Sequence, residues 1–178
     1  MSIASTSAGT RSGDRISITR HFTATEHDPY AGIKFEKRTA KISDPDGGVV
    51  FQMDNAEVPS TWSRVATDVM VSKYFRKGGV PPAGAEMSAR QVVDRIVNAI
   101  TLSGQAQGYF ATSEDAQTFR DELTYLLIRQ YAAFNSPVWF NTGLLESYGI
   151  KGDPAGNWAV DRSTGTAKET TDGFSRPQ

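Results

Sequence analysis

The stretch AAFNSPVWFN, residues 132–141, places a polar Asn-Ser-Pro sequence where the hydrophobicity of the chain peaks. Because Pro137 disfavours a helical conformation in the residue before it, the preceding helical pattern is predicted to end at Asn135. The Val-Trp-Phe of residues 138–140 is typical of a short strand that is buried on both faces of a sheet. One strand cannot form a sheet, and residues 141–178 offer no obvious second strand. The pattern therefore predicts the beginning of a sheet whose other strands are missing.

Ser136 is the candidate functional residue of this stretch. It would stand at the mouth of the predicted strand, where hydroxyls and backbone amides can meet a ligand. The alternative is that its hydroxyl only satisfies the frayed end of the preceding helix. On residue chemistry alone the second interpretation is the commoner one, and both stay open.

Composition limits the classes of function. The chain has 178 residues, of which 38% are hydrophobic, and its formal net charge is -1 with a pI near 6.1. No basic surface is therefore expected for nucleic acid or anionic membranes. The absence of cysteine excludes disulfides, thiolate metal sites and cysteine nucleophiles within this sequence. No signal peptide and no run of about 20 apolar residues is visible, so the prediction is a soluble, cytoplasmic chain.

The part of the chain before this stretch divides into a polar arm and a folded middle. Residues 1–20 are predicted to be a disordered N-terminal arm, because they offer too little apolar surface to offset the entropy of ordering. Residues 33–58 alternate apolar and polar side chains around Asp-Pro-Asp-Gly-Gly, which predicts a β-hairpin. Gly47 or Gly48 is expected to take the positive φ angle of its turn.

Three helices are predicted after the hairpin, over residues 60–75, 88–104 and 112–134. Their expected N-caps are Ser60 or Thr61, then Ser88, and then Thr112 or Ser113. Apolar residues at helical spacing predict one buried face in each helix: Trp62, Val65, Ala66, Val69 and Phe75; Val92, Val93, Ile96, Val97 and Ile100; and Ala116, Phe119, Leu123, Leu126, Leu127 and Phe134.

Other candidate sites are weaker. His21 and His27 lie in the predicted arm without the spacing of metal ligands, so no metal site is predicted there. A basic cluster could bind phosphate, although a solvated helix end is commoner: Lys73, Arg76 and Lys77. An acidic set lacks the spacing of a calcium loop and fits turns and strand ends: Asp44, Asp46 and Asp54. No catalytic triad can be named.

Longer segments carry a family resemblance. In chain order they are FEKRTAKISDPDGGVVFQMDNAEVP, WSRVATDVMVSKYFRKGGVP, SARQVVDRIVNAI, GYFATSEDAQTFRDELTYLLIRQYAAFNSPVWFN and YGIKGDPAGNW. They resemble the N-terminal region of adenosylcobalamin-dependent (class II) ribonucleotide reductases. The similarity covers roughly residues 20–160, in order and without large gaps. Such long ordered agreement is far more specific than a short motif match.

This resemblance implies a function for the complete enzyme. Such enzymes convert ribonucleotides to 2′-deoxyribonucleotides for DNA synthesis through a cobalamin-initiated cysteine thiyl radical. Their chemistry sits in a ten-stranded α/β barrel, against which the N-terminal helical region packs. By resemblance, residues 138–140 would be the first barrel strand, and Ser136 matches a position whose hydroxyl contacts the substrate phosphates. Asn135 and Pro137 would shape this loop.

The same resemblance implies that the rest of the enzyme lies outside this sequence. The fold class is therefore expected to be α+β, a hairpin and helical region leading into an otherwise missing barrel. The expected domains are the arm to residue 20, the hairpin and helices at 21–134, the barrel start at 135–160, and a loop or tail at 161–178. The family's catalytic cysteines and most adenosylcobalamin contacts would lie beyond residue 178, so this chain alone is expected to be inactive.

The expected partners are the remainder of the reductase and a ribonucleotide, by resemblance a diphosphate. The complete enzyme is expected to be a homodimer that contacts neither nucleic acid nor membrane. A natural split enzyme, an intein-interrupted gene and a simple fragment are the alternatives for its organisation. A non-catalytic binding or assembly module derived from the family is the alternative function.

Overall fold

The computed structural model describes residues 15–26, 28–152, 158–161 and 163–169. The fold is α+β, as predicted, with a β-hairpin packed on helices. Within the described ranges, no helix is long and apolar enough to cross a bilayer. In chain order the elements are β1 Phe35–Ser43, β2 Val49–Pro59, α1 Arg64–Val69, a π-helical turn Met70–Tyr74, α2 Ala89–Ala106, α3 Ser113–Ile128, α4 Ser136–Asn141, α5 Leu144–Tyr148, β3 Trp158–Val160 and β4 Ala167–Glu169.

The predicted hairpin is confirmed. Strands β1 and β2 pair antiparallel, and the register shifts between Arg38 and Ala40. Gly47 takes the positive φ of 87° in the turn, which a glycine adopts without steric cost. The Asp44 carboxylate accepts a hydrogen bond of 2.6 Å from the Gly48 N–H and closes the same turn. Turn chemistry therefore fixed this element as the sequence suggested.

The second helix provides the centre of the core, and its predicted face is confirmed. Four of its five predicted core residues are fully buried, and Ile100 is partly buried. Ser88 caps α2 in a capping box with Gln91, whose side chain accepts from the Ser88 N–H. The hairpin covers this face with Ala56 and Val58.

The first helix is shorter than predicted and begins later. Ser63, not Ser60 or Thr61, is its N-cap and accepts from the Ala66 N–H at 3.0 Å. The prediction of the cap was wrong because the preceding residues continue the turn from β2. In that turn the Trp62 N–H donates to the Pro59 carbonyl at 3.0 Å.

The predicted apolar face of this helix is only partly confirmed. Trp62 and Phe75 are buried, but they lie outside α1. Val65 is 71% exposed, whereas Thr67 of α1 is fully buried. Thr67 tolerates burial because its hydroxyl donates to the Ser63 carbonyl at 3.0 Å. The buried residues of this segment therefore do not lie on one helical face, and helical spacing alone could not predict them.

The third helix begins at the predicted N-cap Thr112, but it ends earlier than predicted. Its last residue is Ile128, and Gln130 takes a left-handed φ of 61°. The Tyr131 N–H donates to the Leu126 carbonyl and the Gln130 N–H to Leu127, as in a Schellman motif. The early end was missed because glutamine, not glycine, occupies the left-handed position. Pro137 is not what terminates this helix.

The strand predicted at residues 138–140 is wrong, because these residues lie in α4. Pro137 stands in the first turn of α4, where a missing N–H costs no hydrogen bond. Asn135, in an extended conformation with ψ 161°, is the N-cap residue. Trp139 is buried while Phe140 is 44% exposed, as one-sided helical packing requires. The helix therefore replaces the predicted first barrel strand, and the rest of the barrel stays a prediction.

Only the last part of the predicted N-terminal arm lies within the described residues. Residues 1–14 lie outside the described residues, but residues 15–20 pack against α3 and the loop before it, contrary to the predicted disorder. The Ile16 N–H donates to the Tyr109 carbonyl at 2.7 Å. Arg20 forms an ion pair with Asp121 at 2.8 Å. Specific backbone and ionic contacts here replace the apolar surface that the segment lacks.

The C-terminal region contains a second small hairpin that was not predicted. Strands β3 and β4 pair antiparallel from Trp158 opposite Glu169 to Val160 opposite Ala167. All six of their residues are exposed, so these strands lack the alternation of buried and exposed residues from which a strand can be predicted. The predicted loop or tail at 161–178 is therefore wrong at 167–169, and its residues 162 and 170–178 lie outside the described part.

Candidate functional site

Ser136, the candidate ligand-contacting residue, is the first residue of α4 and is half-buried. Its Oγ lies 3.1 Å from the Tyr74 hydroxyl, and either oxygen can be the donor of this hydrogen bond. The structure thus joins the loop of residues 132–135 to the π-helical turn. Neither interpretation of Ser136 from sequence included this tyrosine.

Aromatic packing fixes the surroundings of Ser136. The Tyr74 ring packs against Trp139 and Phe140, with centroid distances of 6.0 and 5.3 Å. Trp139 Nε1 donates to the Phe134 carbonyl at 2.9 Å and closes the loop that leads into α4. The Asn135 side chain makes no capping bond to α4. The apolar residues of this stretch therefore hold Ser136 and Tyr74 in place. These two residues and the loop of residues 132–135 form the Ser136 corner.

A buried guanidinium lies beneath this corner. Arg95 of α2 is 1% exposed and donates from Nη1 to the Thr142 carbonyl at 2.6 Å and from Nη2 to the Trp139 carbonyl at 2.7 Å. The same Nη2 lies 3.4 Å from the Tyr74 carbonyl. A cation next to the carbonyls at the C-terminal end of a helix is electrostatically favourable. One side chain therefore ties α4 and the π-helical turn to α2.

The partner of this guanidinium is an equally buried carboxylate. Glu86 is fully buried and accepts from Arg95 Nε at 2.7 Å. It also accepts from the Arg76 N–H at 2.7 Å and from the Tyr148 hydroxyl at 2.9 Å. Each charge is thus compensated and hydrogen-bonded, which burial of an ion pair requires. Burial, followed by the adjacent Glu86 charge, raises the pKa of Tyr148 far above its usual value.

The backbone that follows α4 also lies very close to the backbone of α2. Gly143, between α4 and α5, has a φ of 80°. A Cβ atom at this position would lie 2.1 Å from the Arg95 carbonyl oxygen. Only glycine can meet both conditions, because other residues would clash and be strained. The turn that follows α4 is therefore pressed directly onto the backbone of α2.

Sequence reasoning missed Arg95, Glu86 and Tyr74. A signal for one of them was present, since Arg95 interrupts the apolar run formed by Val92, Val93, Ile96 and Val97. A charge inside a buried stripe requires a buried partner. The sequence did not identify that partner, because Glu86 lies in an irregular segment without periodicity.

The other candidates from sequence are accounted for by local contacts. Arg76 Nε donates to the Gly78 carbonyl, and Lys77 Nζ donates to the Phe75 carbonyl. Burial lowers the pKa of Lys77, and its ammonium lies 5.1 Å from the centre of the Phe51 ring. Lys73 is exposed at the end of the π-helical turn. These contacts do not make a phosphate site of the cluster.

The described residues contain no group of three or more His, Cys, Asp or Glu that could hold a metal ion. His21 is exposed and packs edge-on against Phe22 at 4.4 Å, while His27 lies outside the described residues. Asp54 accepts from the Thr39 hydroxyl at 2.8 Å on the hairpin surface.

Comparison with known proteins identifies a family. The family model described as class II vitamin B12-dependent ribonucleotide reductase matches residues 36–130, just over half of the chain. The chain is 42% identical to the vitamin B12-dependent ribonucleotide reductase of Bradyrhizobium diazoefficiens, over 90% of this chain and 15% of that protein. It is 39% identical to the protein of that name from Agrobacterium fabrum over the same shares. It is 41% identical to the protein of that name from Rhodopirellula baltica, over 84% of this chain and 14% of that protein. The chain thus spans about 15% of the length of the curated relatives.

Proposed function

Because the chain belongs to the class II vitamin B12-dependent ribonucleotide reductase family, as its resemblance indicated, we propose that it is the N-terminal part of an enzyme that converts ribonucleotides to 2′-deoxyribonucleotides. The relatives bear the name of the whole enzyme, and this chain corresponds to about 15% of their length. Its proposed contribution is a folded helical support and part of the substrate phosphate site. Diphosphates are the proposed substrates.

The cofactor of the complete enzyme is proposed to be adenosylcobalamin, which supplies the radical that starts the reaction. Cobalamin brings its own cobalt within the corrin ring, and by resemblance most of the residues that contact this cofactor belong to the remainder of the reductase. The sequence contains no cysteine that could carry the radical or the reducing equivalents. We therefore assign the cofactor and the reducing thiols to the remainder of the reductase. This chain alone should not reduce nucleotides.

The observation that supports the phosphate role best is the placement of the Ser136 hydroxyl. It is half-buried and bonded to another hydroxyl, so it can still offer a hydrogen to an incoming anion. The Arg95–Glu86 pair and the Trp139–Phe134 bond fix the corner that carries it. A hydroxyl held in this way binds an anion without a large cost of ordering.

Reconstitution tests the overall function. This chain would be mixed with a polypeptide carrying the remainder of a class II reductase, adenosylcobalamin and a dithiol, and deoxyribonucleotide formation would be measured. Activity that requires both polypeptides is the expected result. Absence of both a complex and activity would refute the proposed function and favour a module with another role.

Substitution Ser136→Ala tests the phosphate role in the reconstituted enzyme. Loss of a charge-assisted hydrogen bond should weaken nucleotide binding by about 1.5–3 kcal/mol. Ser147→Ala is the matched control, because Ser147 is an exposed serine of α5. An unchanged Michaelis constant with reduced stability would instead identify Ser136 as a structural residue of the corner.

A further inference from the structure

The hydrogen bond between Tyr74 and Ser136 leaves donor capacity unused. Each hydroxyl has one hydrogen and two lone pairs, and the pair at 3.1 Å uses only one hydrogen. The second hydrogen is therefore available to a third group. An anion that carries several oxygens could accept from both hydroxyls after the bond between them opens.

Ring packing and a backbone contact position Tyr74 beside Ser136. The phenol ring packs against two aromatic side chains of α4, Trp139 and Phe140. The Arg95 Nη2 that bonds the Trp139 carbonyl also lies 3.4 Å from the Tyr74 carbonyl. The two elements that carry the hydroxyls thus share one buried anchor, and their separation is set by the fold. Such preorganisation favours binding of a ligand that needs both donors.

We propose that Tyr74 is a second substrate-binding residue whose hydroxyl donates to the same phosphate group as Ser136. This inference rests on the proposed function and extends it to a residue of the π-helical turn. The phosphate oxygens replace the hydrogen bond between the hydroxyls with two charge-assisted bonds, which are stronger than bonds between neutral groups. Arg95 acts as a positioning residue, because it reaches the ligand only through the backbone that it holds.

Substitution Tyr74→Phe tests this inference in the reconstituted enzyme, because it removes one oxygen and keeps the ring that packs on α4. Dissociation constants would be measured for cytidine diphosphate and for cytidine, together with kcat and KM. Tyr74→Phe should weaken cytidine diphosphate binding about tenfold or more and leave cytidine binding unchanged. Tyr109→Phe is the matched control, since Tyr109 is exposed and its hydroxyl donates to the nearby Gln107. This control should bind both ligands normally.

Parallel measurements on Ser136→Ala and on the double variant separate the two claims. Because both hydroxyls hold one phosphate, the double variant should weaken diphosphate binding by less than the product of the two single effects. If Ser136→Ala weakens binding but Tyr74→Phe does not, or if Tyr74→Phe strengthens it, the role of Tyr74 is refuted and that of Ser136 stands. Equal weakening of cytidine and its diphosphate by Tyr74→Phe would indicate a general disturbance and also refute it. If neither variant changes diphosphate binding, the phosphate site itself is refuted.

Discussion

Replacement of Arg95 by methionine removes the charge at the centre of the α2–α4 contact while keeping an unbranched stem of similar length. Glu86, which is fully buried, would lose its ionic partner. Two of its three donors would remain, the Arg76 N–H and the Tyr148 hydroxyl. The Thr142 carbonyl, which now accepts at 2.6 Å, would lose its donor.

The expected loss follows from these uncompensated groups. Breaking a buried ion pair by removing one partner costs about 3–5 kcal/mol. Because Glu86 keeps two donors but backbone carbonyls are also left unpaired, we expect about 4 kcal/mol for Arg95→Met. Glu86→Gln leaves the opposite charge uncompensated and should be similarly damaging. The double variant contains neither charge, so it should lose at least about 2 kcal/mol less than the sum of the single variants.

Urea unfolding of the wild type, the two single variants and the double variant, followed by tryptophan fluorescence, measures these differences in unfolding free energy. Trp62 and Trp139 are both 4% exposed and should report loss of the core. The ion pair of exposed Arg64 with partly buried Asp68 in α1 has an N–O distance of 3.2 Å and provides the control. The corresponding cycle there should show a coupling below about 1 kcal/mol. Additive effects at the buried pair, or an Arg95→Met loss no larger than that of Arg64→Met, would refute the reasoning.

Three further predictions concern stability. Gly143→Ala should cost at least about 3 kcal/mol, because its Cβ would strike a backbone carbonyl of α2. Gly149→Ala, with a φ of 68° and open space, should cost only about 1 kcal/mol, and equal losses in thermal unfolding would contradict the close contact. Above the ordinary tyrosine pKa of 10.0 the unfolding free energy should fall with rising pH, since burial raises the pKa of Tyr30 and Tyr148, and the folded chain keeps protons that the unfolded chain loses. The corresponding phenylalanine variants should flatten that fall between about pH 9 and 11 in urea titrations, and an unchanged slope would count against the burial effect. Ser88→Ala should cost about 1 kcal/mol through loss of the α2 cap, and an unchanged melting temperature would show that this cap is dispensable.

Local signals in the sequence were sufficient for the hairpin and for the starts of the two long helices. Asp-Pro-Asp-Gly-Gly determines a turn because Gly47 can adopt a positive φ. Ser88 and Thr112 cap α2 and α3 because their side chains satisfy N–H groups that the helix leaves free. These interactions join residues close together in the chain, so they can be predicted from spacing. The family was also visible in the sequence, through long ordered similarity.

Tertiary structure decided the corner that carries Ser136. Apolar residues 138–140 fit either a buried strand or a helix, and the sequence interpretation chose the strand. Packing of Trp139 into the core and its carbonyl bond to Arg95 are consistent with the helix that forms. The Ser136–Tyr74 contact joins residues 62 positions apart. No local pattern encodes such a contact.

The sequence by itself thus determined which segments form the hairpin and the long helices, and to which family the chain belongs. Only the fold determined that Arg95, Glu86 and Tyr74 support the loop of Ser136. The physical reason is that caps and turns depend on neighbours along the chain, whereas a buried charge depends on partners brought together by packing.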